Sequence, residues 1–161
     1  MTWVDHRLDG VRLETSTQVL EVGSYDENGS VQELLAPARV VGIDMRNGPR
    51  VDIVALGAAL PFPDATFDMV VSTELLEHDR TFWTTLQEIG RVLRSGGDFL
   101  LTARGNGFMP HAFPEDYWRF MPSAGPLLLD IVGADVVETI EDPQHNHPGI
   151  FCHGRRRSDD R

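Results

Sequence analysis

Two carboxylates and a glycine have the types and spacing for ligand chemistry. Glu21-Val22-Gly23-Ser24 closes the apolar run Gln18 to Val22. A glycine there lets the backbone approach a ligand closely. The amides of a helix beginning beyond it would favour a polar or anionic group. Taken alone, the stretch equally describes an ordinary strand-to-helix turn. Asp44 ends a second apolar run, Arg39 to Asp44, 23 residues after Glu21. One carboxylate can accept from two adjacent ribose hydroxyls, and an acidic residue about 20 residues past a glycine turn does so in dinucleotide-binding folds. An exposed strand-end aspartate is the plainer reading. No G-x-G-x-x-G follows the first run, which counts against a dinucleotide itself.

A second set of residues could serve a reacting partner. His111-Ala-Phe-Pro-Glu-Asp-Tyr-Trp-Arg-Phe120 combines a histidine with aromatics. Phe113, Tyr117 and Trp118 could form a lid that excludes water. His111, with an ordinary pKa near 6.5, could take a proton from a hydroxyl or amine. The competing reading is an aromatic plug under a long loop, and for His111, Trp118 and Phe120 both stand. His78 follows Glu77, where it could face a ligand or bridge to the next helix. His145-Asn146-His147 is too sparse for a metal site, and the expectation is no metal. Cys152 is the sole cysteine, so no intrachain disulfide forms, and it reads as a small buried hydrophobe.

The elements that must hold these residues alternate. Gln18 to Val22, Arg39 to Asp44, Val51 to Leu56, Phe67 to Ser72 and Asp98 to Ala103 are apolar runs of strand length. Nearly continuous apolar strands are expected where a parallel sheet is covered on both faces. Val31 to Ala36 reads as a short helix stopped by Pro37. From His78 to Arg94, the positions Phe82, Leu86, Ile89 and Leu93 give one apolar helical face, with Gly96-Gly97 as its C-cap. Pro122 to Val132 reads as another helix. Ala134 to Ile140 and Gly149 to His153 form a last pair without a helix between them, so the final strand should run antiparallel. Residues 1–17 read as a poorly patterned lead-in. Ligands bind at the carboxyl ends of strands in such sheets, which gathers 23–30, 44–48, 56–64, 72–79 and 104–121 on one edge.

The 161 residues suit one domain over 1–154, with 155–161 as a disordered tail. Fourteen basic against 25 acidic residues leave a net charge of −11, which disfavours a nucleic-acid groove. No apolar run nears the roughly 20 residues that span a bilayer, and the N-terminus carries no apolar signal core. The expected location is the cytoplasm.

The run LPFPDATFDMVVSTELLEH followed by LQEIGRVLRSGGDFLLTA resembles the class I S-adenosylmethionine-dependent methyltransferases, in particular a small bacterial methyltransferase-domain group. The likeness covers roughly residues 18–103. It implies a Rossmann-like α/β fold: a mostly parallel seven-stranded sheet with an antiparallel last strand and helices on both faces. It implies S-adenosylmethionine as cofactor. Glu21, Gly23 and Ser24 would border its methionine part. Asp44, with Met45 beside it, would bind the ribose. Leu60 and nearby backbone would lie along the adenine, and Ser72 and Thr73 beside the transferable methyl. Two positions depart from the family pattern. Tyr25 stands where a second glycine is usual, with Gly29 further along a longer turn. Leu56 stands where an aspartate commonly meets the adenine amino group.

The chemistry so implied is an in-line displacement that needs positioning more than a catalytic triad. The expected acceptor is a small molecule, with His78, His111, Tyr117 and Trp118 around it and His111 as a candidate base. A non-catalytic cofactor-binding or regulatory domain is the alternative, motivated by Tyr25, Leu56 and the short lead-in. A homodimer or partner chain would then cover the cofactor. Aminopropyl transfer on the same fold is disfavoured by Ser72 and Thr73, which stand where acidic residues would hold a polyamine.

Overall fold

The computed structural model describes residues 2–8, 11–27, 29–111, 115–141 and 148–158. Seven strands form one sheet: β1 (Gln18–Val22), β2 (Arg39–Asp44), β3 (Ile53–Val54), β4 (Phe67–Thr73), β5 (Leu93–Arg104), β6 (Ala134–Glu141) and β7 (Gly149–Arg156). Their spatial order is β3-β2-β1-β4-β5-β7-β6. β1 to β5 pair in parallel, and β7 runs antiparallel to both neighbours. The expected Rossmann-like sheet with an antiparallel last strand is therefore the observed one.

Strand periodicity divides the core between the faces. Leu20, Val22, Val70, Phe99, Leu101 and Ala103 point to one side, under α2 (Phe82–Val92) and α3 (Gly125–Val132). Val19, Met69, Val71 and Leu100 point to the other. That second face is covered by α1 (Thr2–Leu8) and a 3₁₀ turn, Val31–Leu35. Trp3, Val4 and Leu8 of α1 pack there, and the Trp3 ring stacks on Phe151 at 5.2 Å. The lead-in is thus a helix with an apolar stripe.

Several boundaries differ from the sequence reading. α2 begins at Phe82, after a separate 3₁₀ turn at Leu76–His78, and ends at Val92. It stops there because Leu93 already pairs with Phe67 in the sheet. Gly96 therefore lies inside β5 at φ 76, where it serves an irregularity in the β4–β5 register rather than a helix cap. β3 shrinks to two residues on the sheet edge. Beside it, the Asp52 carboxylate accepts the Gly42 amide at 2.8 Å. Pro122 to Val132 splits into a 3₁₀ turn, Pro122–Ala124, and α3. The expected tail is strand as far as Arg156, because its arginines are anchored. Arg155 pairs with Asp98 at 2.9 Å, Arg156 Nε donates to Gly90 O at 3.0 Å, and Arg157 pairs with Asp130 at 2.9 Å. Among the described residues, no helix is long and apolar enough to cross a membrane.

Candidate functional site

The parallel strands β1, β2, β4 and β5 all end on one edge. The chain winds outward in opposite directions from β1 and β4, and a crevice forms where those directions diverge. A cavity of about 960 Å³ opens there, at the upper end of the range for small-molecule sites. Its walls come from Glu21 to Glu27, Ile43 to Arg46, Ala55 to Ala58, Thr73 to Leu75 and His78 to Thr81. Arg104, Phe108, His111 and Tyr117 complete one end, and Trp3 and Val4 of α1 reach in from the covered face.

One wall is built by the β1 and β2 termini. Glu21 is buried and accepts from Gln32 Nε2 at 2.7 Å. Burial pushes its carboxyl up to about 7, with the Gln32 hydrogen bond and Arg50 opposing and Asp26 adding to the rise. The amides of Gly23 and Ser24 both donate to Ile43 O at 2.9 Å. Gly23 holds φ 84, and a Cβ there would sit 3.2 Å from Leu75. Ser24 Oγ is buried with no hydrogen-bond partner among the described residues. The loop continues into a five-residue 3₁₀ turn, so no α-helix N-terminus stands at this point.

Asp44 lies on the wall, its Oδ1 accepting the Arg46 amide at 2.9 Å. Exposed Met45 lines the cavity beside it. Tyr25, at the position of the missing glycine, carries the Arg46 guanidinium 4.4 Å above its ring. A Cβ on Gly48 would overlap that ring, so Gly48 makes room for Tyr25.

Two of the expected site residues lie off the cavity wall. Leu60 is buried in the core and does not line the cavity; Leu56, Gly57 and Ala58 do. Its amide donates to Glu88 at 2.9 Å, while Arg91 donates to Leu60 O at 3.1 Å and to Phe62 O at 2.7 Å. Arg91 also pairs with Asp64 at 2.9 Å. The LPFPD and GRVL segments are therefore two halves of one clamp. Ser72 is likewise buried off the cavity, with Oγ unpartnered among the described residues, and Thr73 is the β4 residue on the wall.

The opposite end is ionic and aromatic. Glu74 holds φ 53 as β4 ends, accepts from Thr102 Oγ1 at 2.7 Å and pairs with Arg104. A non-glycine residue in this region is strained, and such strain collects at functional sites. Glu77 is fully buried, and neither carboxylate oxygen has a hydrogen-bond partner among the described residues. Burial, then Glu74, push its carboxyl up to about 8, against the nearby amides of Glu77 and Arg104 and the Arg104 charge.

His78 Nδ1 lies 2.6 Å from Glu115 O. The carbonyl can only accept, so Nδ1 carries a proton, and in the neutral ring the lone pair is on Nε2. His111 meets His78 edge-on at 4.7 Å and Phe108 at 5.0 Å. Its amide donates to Asp116 Oδ2 at 2.7 Å. Burial, then the neighbouring His78, hold His111 below its ordinary value, although Asp116 pulls the other way. Asp116 is itself locked by Arg119 in a two-pronged pair, which holds its carboxyl far below the usual range.

The Tyr117 and Trp118 amides donate to Glu77 O at 2.8 and 3.2 Å, stapling this segment over the Leu76–His78 turn. Tyr117 lines the cavity. Trp118 does not: its Nε1 donates to Asp79 O at 3.0 Å and its ring packs on Phe82. Phe120 is the buried plug, packed on Phe82, whereas Trp118 is exposed and Tyr117 stands at the wall. Phe113, His145 and His147 lie outside the described residues. Sequence reasoning passed over Glu74 and Arg104, whose only signal was their location at strand ends on the ligand edge.

The methyltransferase-domain family matches residues 20–101, just over half of the chain. The 27-O-demethylrifamycin SV methyltransferase of Amycolatopsis mediterranei is 33% identical over 96 residues, 56% of this chain and 34% of that protein. The mitochondrial arginine-hydroxylase NDUFAF5 of Rattus norvegicus is 32% identical over 126 residues, 64% of this chain and 35% of that protein. The chain thus spans about a third of the length of these curated relatives. Among solved structures, the Burkholderia thailandensis 1,6-didemethyltoxoflavin-N1-methyltransferase with bound 1,6-didemethyltoxoflavin and S-adenosylhomocysteine superposes with a TM-score of 0.76. It is 19% identical, and the match covers 98% of this chain and 76% of that one. At that identity the likeness is one of fold.

Proposed function

The chain belongs to the methyltransferase-domain family, and from that premise we propose that it binds S-adenosylmethionine and methylates a small-molecule acceptor. The observation that carries the reading is one cavity whose two ends differ in chemistry. Glu21, Gly23, Ser24 and Asp44 stand at one end, His78, His111 and Tyr117 at the other. The first group fits the cofactor. Ser24 Oγ is a buried hydroxyl lacking a partner among the described residues, and such a group favours a polar ligand. Asp44 presents a carboxylate suited to ribose hydroxyls. Gly23 leaves the backbone open. Met45 and Thr73 would flank the ligand, and Leu56 to Ala58 take the adenine side in place of Leu60.

When bound, S-adenosylmethionine supplies a methyl group already activated on a sulfonium. The chain's own task is to orient the acceptor and exclude water. Tyr117 and Phe108 give the acceptor end apolar walls. His111, held below its ordinary value, is neutral at pH 7 and can accept a proton from a hydroxyl or amine. The acidic surface favours a small acceptor over a polyanion. A cytoplasmic location fits a lone buried cysteine with no disulfide. Trp3 and Val4 supply part of the cavity's cover, so a second copy or a partner chain has less to add; light scattering distinguishes monomer from dimer.

Calorimetric titration with S-adenosylmethionine and S-adenosylhomocysteine tests the reading, with NAD as control. Saturable binding is expected, lost in Asp44→Ala and kept in His111→Ala, whereas turnover on an accepted substrate falls about 10²–10⁴-fold in His111→Ala. Absence of binding in the folded protein would overturn it. A second reading, cofactor binding without methyl transfer, draws on the rat relative, which is named a hydroxylase. Any transfer of labelled methyl to an acceptor removes that reading.

A further inference from the structure

Glu77 is a buried acid that the proposed methyl transfer leaves without a role. It is wholly buried at the acceptor end, and both of its oxygens lack a hydrogen-bond partner among the described residues. A buried carboxylate is tolerated when something satisfies its oxygens. Arg104 and Arg119, whose charges act on Glu77, are already paired with Glu74 and Asp116, and Arg104 lies over the Phe108 ring at 4.3 Å. Besides the nearby amides of Glu77 and Arg104, a pair of imidazoles stands beside the Glu77 carboxyl. One ligand-capable atom each from Glu77, His78 and His111 lies within 4.8 Å of the other two.

We propose that Glu77, His78 and His111 form a binding site for a divalent transition-metal ion at the acceptor end of the cavity. Two imidazoles and one carboxylate are the donor set for zinc, iron(II), manganese or cobalt rather than magnesium or calcium, which prefer oxygen alone. Ligand bonds of about 2.0–2.2 Å require the three side chains to close in by roughly 1–2 Å. The surroundings favour this. His78 Nδ1 donates to Glu115 O at 2.6 Å, which turns its free nitrogen away from that carbonyl. Ligating histidines are fixed by such an outer hydrogen bond. His111 Nδ1 is buried without a hydrogen-bond partner among the described residues, 3.6 Å from Asp116 Oδ2. The Tyr117 and Trp118 amides bind Glu77 O, so the loop carrying His111 is tied to the turn carrying the other two ligands. The Arg104 and Arg119 charges are offset by Glu74 and Asp116, which limits repulsion of a cation.

Three protein ligands leave coordination positions open, and His78 and His111 both line the cavity. Those positions select an acceptor with an oxygen donor at or beside the methylated atom. This last step rests on the proposed function; the ion site does not. A bound ion also takes a lone pair of His111, so the metal-free and metal-loaded proteins differ in what deprotonates the acceptor.

The test is titration of chelator-treated protein with cobalt(II) alone, followed by ligand-field absorption in the visible. One cobalt per chain is expected, with affinity reduced at least tenfold in Glu77→Gln, and in His111→Ala should Glu77→Gln fail to fold. Asp44→Ala is expected to bind cobalt normally while losing S-adenosylhomocysteine, so failure of the cofactor reading and of the ion site are separately visible. Featureless spectra at millimolar cobalt overturn the proposal. So does equal affinity in the parent and both ligand variants, or loss of binding on replacing His145 and His147 instead.

Discussion

Burial of Glu21 gives the protein a pH-dependent stability that one substitution should reduce. Its carboxyl titrates near 7 in the fold because burial disfavours the charge, against about 4.5 when unfolded. The folded state therefore holds the proton more tightly between those values. The associated stability is complete below about 4.5 and is lost as pH rises through about 7. The window corresponds to roughly 3 kcal/mol. Thermal melts at pH 5 and pH 8 should show a drop in Tm for the parent that is smaller in Glu21→Gln; the remainder belongs to Glu77, where burial also pushes the carboxyl up, to about 8. Parallel pH profiles in the two proteins would refute this. The place of Glu21 on the cavity wall was legible in the sequence, together with those of Gly23 and Asp44, because a strand end followed by a glycine is a backbone signal. Leu60 and Ser72 were not. Which side chain of a short segment turns inward depends on a partner far along the chain. For Leu60 that partner is the Glu88–Arg91 pair, some 30 residues on.

Helix packing shows the same division between local and distant causes. The period of Leu86 and Ile89 made α2 legible, but neither its ends nor its glycine can be explained within the helix. A Cβ on Gly90 would come within 2.2 Å of the Val132 carbonyl oxygen, where α2 crosses the end of α3. Gly90→Ala should gain about 1 kcal/mol in helix propensity. It should lose more through overlap with a backbone atom that cannot rotate away, since overpacking costs about 1–3 kcal/mol. The expected result is net destabilisation in urea unfolding with an unchanged m-value. A variant as stable as the parent would mean that the helices separate freely. The Arg156 Nε donation to Gly90 O belongs to the same junction, which is why the basic run at 155–157 continues β7 and does not form a tail. Charge patterning suggested solvent; the paired acceptors, Asp98, Gly90 O and Asp130, come from three other elements.

At the scale of the molecule, coverage of the sheet is unequal. Two helices shield one face, whereas the other depends on α1 and a 3₁₀ turn. α1 has seven residues, too few to be stable alone. Its gain is the burial of Trp3, Val4 and Leu8, about 1.5–3 kcal/mol each. Its cost is the ordering of seven backbone units at about 1–2 kcal/mol each. The cost is the larger of the two by a few kcal/mol, and the Trp3 Nε1 bond to Glu138 at 3.1 Å and the Arg7–Glu138 pair at 3.2 Å help to offset it. An element so poised responds to whatever it touches, and Trp3 and Val4 touch the cavity. Ligand in the cavity adds contacts that the detached helix would forfeit, and so shifts α1 toward the docked state by mass action. Amide hydrogen exchange of residues 2–8 should therefore be fast in the free protein and slowed by S-adenosylhomocysteine. The amides of β1, β4 and β5, already at the centre of the sheet, should change little. Equal protection of α1 with and without ligand, in protein shown to bind it, would make the helix a permanent wall. The cavity would then have to admit its ligands past a closed side.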